Sequence, residues 1–126
     1  MGSLRVTRAM LPLLLQGQAK LIVDISSEAG SIEQRSRDGW FAYCMSKAAL
    51  NMQARLIQNG LKQEGGQVLL VYPGWVQSYM RGELDASADP TPDASAQHIA
   101  ALIDQHEQFK GEQPAYVDYR GERLPW

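Results

Sequence analysis

Apolar positions follow two rhythms along this chain, a helical spacing and short unbroken runs, and the two alternate from end to end. Leu4, Val6 and Met10, with the leucines that follow, predict an amphipathic helix over Leu4–Leu14, ending before "QGQAK". "KLIVDISS" is an apolar, β-branched run closed by small polar residues, the pattern of a buried strand. "EAGSIEQRSRDGW" is polar and punctuated by glycine, so a loop is expected there. From Phe41 to Lys62 the spacing of Ala48, Leu50, Ala54, Ile57 and Leu61, with further apolar residues between, predicts a long and largely buried helix. "QVLLVYPGWV" reads as a second strand stopped by proline and glycine, and "QSYMRGELDASADPTP" as a loop or flap. Asp93 is the expected N-cap of a helix "ASAQHIAALIDQHEQF" with Ile99, Leu102 and Ile103 on one side, and "AYVDY" is a last short strand.

The order α-β-α-β-α-β, with helices joining the strands, predicts an α/β protein with a parallel sheet. With 126 residues, a single domain over 1–126 is expected. A formal charge of −2 without blocks of one sign argues against nucleic acid or an anionic membrane surface as partner. Cys44 is the single cysteine, which excludes an intramolecular disulfide and fits a reducing, cytoplasmic compartment. His98 and His106 stand eight apart with no cysteine or carboxylate cluster, so no metal site is expected and both are read as polar-face helix residues. The first twenty residues mimic a signal peptide, but "AMLPLLL" is short, contains a proline and precedes no small-residue cleavage pattern, which favours a cytoplasmic helix. No segment is long enough to span a membrane.

Candidate chemistry gathers where a parallel sheet binds its ligands, beyond the carboxyl ends of the strands. Ser26 and Ser27 close the first strand, "PGWVQS" closes the second, and Tyr43 and Lys47 open the helix between them. Four residues apart, that phenol and ammonium share a helix face. Alone, the pair is a weak signal and reads first as an exposed polar turn at a helix start. In company, an ammonium one turn away stabilises a phenolate and brings a tyrosine toward general acid–base use. A serine hydroxyl nearby can hold a carbonyl oxygen and share its developing charge. Proton delivery is half of a carbonyl reduction. The other half is hydride, which no side chain supplies, so a nicotinamide cofactor is implied.

"VDISS…AGSI", "GWFAYCMSKAALNM", "VYPGWVQSYM" and "YRGERLPW" together resemble the C-terminal half of a short-chain dehydrogenase/reductase, most of all the branch of C-factor and the sniffer-type carbonyl reductases. The resemblance implies the C-terminal part of a Rossmann-like doubly wound parallel sheet. It implies Ser27, Tyr43 and Lys47 as catalytic residues, with Ser26 the less favoured serine, and Lys47 also holding the nicotinamide ribose. Pro73, Gly74 and Val76 would pack against the nicotinamide, and Ser78 stands where the family usually has a threonine beside the cofactor phosphates. NAD or NADP and a small carbonyl substrate follow from the same resemblance. Asp24 replaces a common asparagine and Tyr79 a common aspartate, neither at a catalytic position.

The family's glycine-rich turn and its catalytic asparagine have no counterpart here, so the expectation is a truncated portion lacking the nucleotide-binding half and weak or inactive alone. The alternative expectation is a non-catalytic, C-factor-like signalling or self-association module. By the resemblance, homo-oligomers would form through the helices Leu4–Leu14 and Phe41–Lys62. The loop from Ser78 to Pro92 is expected over the pocket, and Trp40, Trp75 and Tyr79 either line it or pack elsewhere.

Overall fold

The computed structural model describes residues 2–126. They run as helix α1 (Gly2–Gln16), strand β1 (Leu21–Ile25), helix α2 (Phe41–Leu61), strand β2 (Gln67–Tyr72), helix α3 (Pro92–Asp104) and strand β3 (Ala115–Asp118). The alternation is the one the sequence predicts. All three strands are parallel in one sheet of order β1-β2-β3, with Val23 beside Leu69 and Leu69 beside Ala115. The result is a Rossmann-like α/β sheet in which helices carry the chain back between parallel strands.

β2 is the centre. Its side chains alternate between two cores, as the strand period requires. Val68 and Leu70 pack with Tyr116 against Ala54 and Leu61 of α2, while Leu69 and Val71 pack with Val117 against Leu102 and Phe109. β1 departs from the expected buried strand: it is half-buried and Ile25 is 46% exposed, because β1 has a sheet neighbour on one side only.

α2 is also less covered than its apolar content suggests. A single stripe, Asn51, Ala54, Gln58 and Leu61, is buried at three- and four-residue spacing, while Met45, Met52 and Leu56 are exposed. Two members of the stripe are polar, and both are held. Gln58 accepts from the Val68 amide (2.7 Å) and donates to the Gly111 carbonyl (2.9 Å), tying α2 to β2 and to the loop before β3. In α1 no residue is buried, although Leu11 and Leu14 touch the core. No helix among the described residues is long and apolar enough to cross a membrane.

Helix α3 corrects three expectations. Its N-cap is Thr91, whose hydroxyl accepts from the Ala94 amide (3.3 Å), and not Asp93, which lies in the first turn. Pro92 explains the choice: its fixed φ and missing N–H suit the first helical position, which makes the preceding residue the cap. The helix stops at Asp104, and His106–Phe109 form a 3-10 turn. A continued helix would carry Phe109 about 10 Å beyond Leu102, whereas the tighter turn returns it to the same core. His106 is therefore not on the helix's polar face; it is half-buried with Nδ1 3.3 Å from Gln67 Oε1. His98 is exposed, edge-on to the Tyr119 ring.

Candidate active site

The end of β1 is pinned from three sides. The Lys47 ammonium donates to the Ile25 carbonyl (3.0 Å), the Ser26 hydroxyl donates to Asn51 Oδ1 (2.6 Å), and the Tyr116 hydroxyl donates to the Ser27 carbonyl. The Ser26 amide adds a bond to the Val71 carbonyl (2.8 Å). These contacts fix the path of the chain as it leaves the sheet and separate the two serines. Ser26 is spent on α2, in the core, while Ser27 reaches the wall of a cleft.

That cleft, about 520 Å³ in volume, opens beyond the carboxyl ends of β1 and β2, where open parallel sheets bind ligands. Ser27, Tyr43, Pro73, Gly74, Val76 and Ser78, six of the residues singled out from the sequence, line it together. Lys47 is not among the lining residues; its Nζ stands over the Tyr43 ring, 5.8 Å from the centroid. An ammonium has three donors, and the Ile25 carbonyl is the one partner found for Lys47 among the described residues. Trp40 and Trp75 line the cleft, and Tyr79 does not. Residues 75–90 form the flap, closed at its base by the Trp75–Asp89 bridge and by two bonds from Gln77, amide to the Pro90 carbonyl (3.1 Å) and side chain to the Ala88 carbonyl (3.0 Å).

Trp40 caps α2 with a left-handed backbone (φ 62°) and no side-chain cap bond. For a bulky residue such a conformation costs about 1–3 kcal/mol, and here it sets the indole edge-on to the Tyr43 ring at 5.8 Å. Gly74 needs its glycine twice over. It lies at φ 90°, and a Cβ there would meet Pro90 at 2.6 Å and Tyr119 at 2.9 Å.

Charge in and behind the cleft is uneven. Burial pushes the Lys47 ammonium below its ordinary pKa, opposed by Asp24, and burial pushes Asp24 above its ordinary value, opposed by Lys47. Asp24 Oδ2 is buried with no hydrogen-bond partner, so its carboxylate supports Lys47 through charge. Tyr72 is pushed up to about 12, by burial first and the Glu28 charge second, and so stays a neutral phenol.

Six lining residues carry no sequence signal for this site, Arg37, Met80, Arg81 and Asp85 among them, and the other two, Tyr72 and Glu28, bear on its chemistry. Tyr72 precedes the proline-glycine stop and is masked by its strand's apolar run. Glu28 sits in a stretch that reads only as polar loop, yet its carboxylate lies in the cleft beside Ser27. No spacing signal marks it.

The sequence model described as "short chain dehydrogenase" matches residues 1–89. "C-signal" of Myxococcus xanthus is 39% identical over 126 residues, all of this chain and 73% of that protein. The NADPH-bound carbonyl reductase from chicken fatty liver superposes with a TM-score of 0.80 at 30% identity, covering 98% of this chain and 52% of that one. Carbonyl reductase Sniffer of D. melanogaster gives 0.78 at 27% identity, covering 95% and 51%. The chain thus spans about half the length of these solved structures.

Proposed function

The chain belongs to the short-chain dehydrogenase family, and on that premise we propose that its cleft serves the NAD(P)-dependent interconversion of a small carbonyl compound and its alcohol. One observation carries the reading: Ser27 and Tyr43, from different elements, line the same cleft while the Lys47 ammonium stands over the Tyr43 ring. In the reducing direction Tyr43 gives its phenolic proton to the carbonyl oxygen, and Ser27 steadies that oxygen as charge develops on it. Lys47 offsets the negative charge left on the phenol. A reduced nicotinamide, when bound, would supply the hydride for the carbonyl carbon.

The donor set suits the nicotinamide end of such a cofactor. Lys47 has donors left for ribose hydroxyls, Pro73, Gly74 and Val76 offer an apolar wall, and Ser78 a hydroxyl. It does not suit the pyrophosphate: the sequence given contains no G-x-x-x-G-x-G or G-x-G-x-x-G stretch. Turnover by these residues alone is therefore expected to be weak, with the pyrophosphate held elsewhere in a working enzyme. The single cysteine supports a reducing, cytoplasmic setting. The test is NADPH-dependent reduction of a small ketone by the chain and by Tyr43→Phe. Loss of a general acid costs roughly 10²–10⁴-fold, and equal rates in the two proteins would overturn the assignment.

A second reading, self-association, is favoured by a specific observation. Val6, Met10 and Leu13 of α1 and Met45, Met52 and Leu56 of α2 are each at least half exposed. Such faces are expected to be covered by a second copy, and light scattering at micromolar concentration checks it: a dimer or larger species supports this reading, a monomer refutes it. A C-factor-like, non-catalytic role would rest on that assembly without turnover.

A further inference from the structure

We propose that Glu28 is a positioning residue that occupies the Ser27 hydroxyl, so that a carbonyl oxygen gains the serine only by displacing it; this rests on the cleft being the carbonyl site proposed above.

The geometry is a donor count. A serine hydroxyl has one proton to give. Ser27 gives it to Glu28 Oε2 at 2.7 Å, and its oxygen accepts from the Ala29 amide at 3.1 Å. A carboxylate can only accept in such a pair, so the direction of the bond is fixed. The direct route by which Ser27 would hold a substrate oxygen is therefore already in use.

Glu28 is anchored at both oxygens. Oε2 also accepts from the Ala29 amide (2.9 Å), while Oε1 accepts from Arg37 (3.2 Å) and faces Arg35 at 3.6 Å. Both arginines come from the same loop, which folds back to hold the carboxylate over the serine. Buried Arg35 Nε and Nη1 make no hydrogen bond, so Arg35 bears on Glu28 through charge. The loop keeps its backbone bonds without this side chain: the Gly30 amide donates to the Ser27 carbonyl and the Ser31 amide to the Glu28 carbonyl.

A hydrogen bond to a carboxylate is about twice as strong as one to a neutral oxygen. A neutral carbonyl competing for the Ser27 proton therefore loses most of what that contact would contribute. In this chain Ser27 is a latched donor, and Glu28 is the latch.

Calorimetric titration of the full chain with cyclohexanone tests this. Glu28→Ala should tighten binding by about tenfold, and Glu28→Gln, a neutral acceptor of the same shape, by a few-fold. Ser27→Ala alone should change affinity by less than about threefold, and in the Ser27→Ala background Glu28→Ala should have no effect. A loop that merely loosened would shift both backgrounds alike, and that result overturns the proposal, as does unchanged or weaker binding by Glu28→Ala and Glu28→Gln. If Tyr43→Phe weakens binding but neither Glu28 variant tightens it, the latch fails while the carbonyl site stands. If no variant binds the ketone, both fall.

Discussion

Gly30 offers a direct handle on how the cleft is held together. It lies in the turn that carries the chain from Ser27 under α2, and its backbone is not left-handed, so φ is not the reason for a glycine there. Contact is the reason. A Cβ on Gly30 would stand 2.8 Å from Asn51 Nδ2 and 2.9 Å from the Lys47 carbonyl oxygen, against 3.4–4 Å for ordinary contact. The first obstacle belongs to a buried side chain held by Ser26, and the second is helix backbone. Neither can swing aside, so the turn must lift about half an ångström off α2, taking Ser27 with it. Overpacking of this kind costs about 1–3 kcal/mol. With a urea m-value of about 1–3 kcal/mol/M, the unfolding midpoint of Gly30→Ala should fall by roughly 1 M at unchanged m. Displacing Ser27 should also cost up to about a hundredfold in any turnover that depends on its position. Gly60→Ala is the control. Gly60 lies inside α2 with nothing within 4 Å of a Cβ, so the substitution should stabilise by up to about 1 kcal/mol. A Gly30→Ala midpoint equal to that of the unmodified chain would refute the packing argument.

Further consequences are as specific. Gln58→Met keeps the volume of a buried side chain but leaves the buried Val68 amide without a partner, which should cost about 1–3 kcal/mol; urea unfolding reads it, and a loss well under 1 kcal/mol would count against the tie between α2 and β2. Tyr72 titrates at about 12 in the folded chain and near its ordinary value of 10.0 when unfolded. The unfolded state then loses its proton first, so stability should fall as pH rises from 10 to 12, and less so in Tyr72→Phe. Ultraviolet titration should show a late phenol step that this variant lacks; a variant with the same late step would show that the assignment is wrong. Asp24→Asn removes the charge that opposes the desolvation of Lys47, so the Lys47 pKa should drop further. NMR of methylated lysines measures it, and a Lys47 signal titrating at the same or higher pH would contradict the pairing.

Much of this was legible because it follows from period and spacing. "LIVDI" and "QVLLVY" are too apolar and β-branched to be anything but strands flanked by helices, and parallel order follows from the alternation. Strand ends and a helix start bring Tyr43, Lys47 and the serine pair to one sheet edge, and the family resemblance gives Tyr43, Lys47 and Ser27 their roles and prefers Ser27 to Ser26. The unread features depend on contacts between distant parts. Glu28 looks like any loop acid until Ser27 and two arginines are seen around it. Gln58 occupies a core stripe that hydrophobicity cannot mark, because two backbone groups wait for its amide. Burial of α2 is less than its apolar content suggests for the opposite reason: apolar residues mark a face to be covered without saying what covers it. Asp93 is the cap the sequence suggests, and Pro92 at the first helical position moves the cap back to Thr91.

The account stands on Lys47, with Pro73, Gly74 and Val76, holding the nicotinamide end of a cofactor beside Tyr43, and one titration tests that most directly. Reduced nicotinamide mononucleotide should bind the chain calorimetrically, and Lys47→Ala should abolish that binding. NADPH should bind no more than about tenfold tighter, since none of the residues makes a pyrophosphate cradle. No binding of the mononucleotide, or binding that survives Lys47→Ala, would contradict the cofactor role of this cleft.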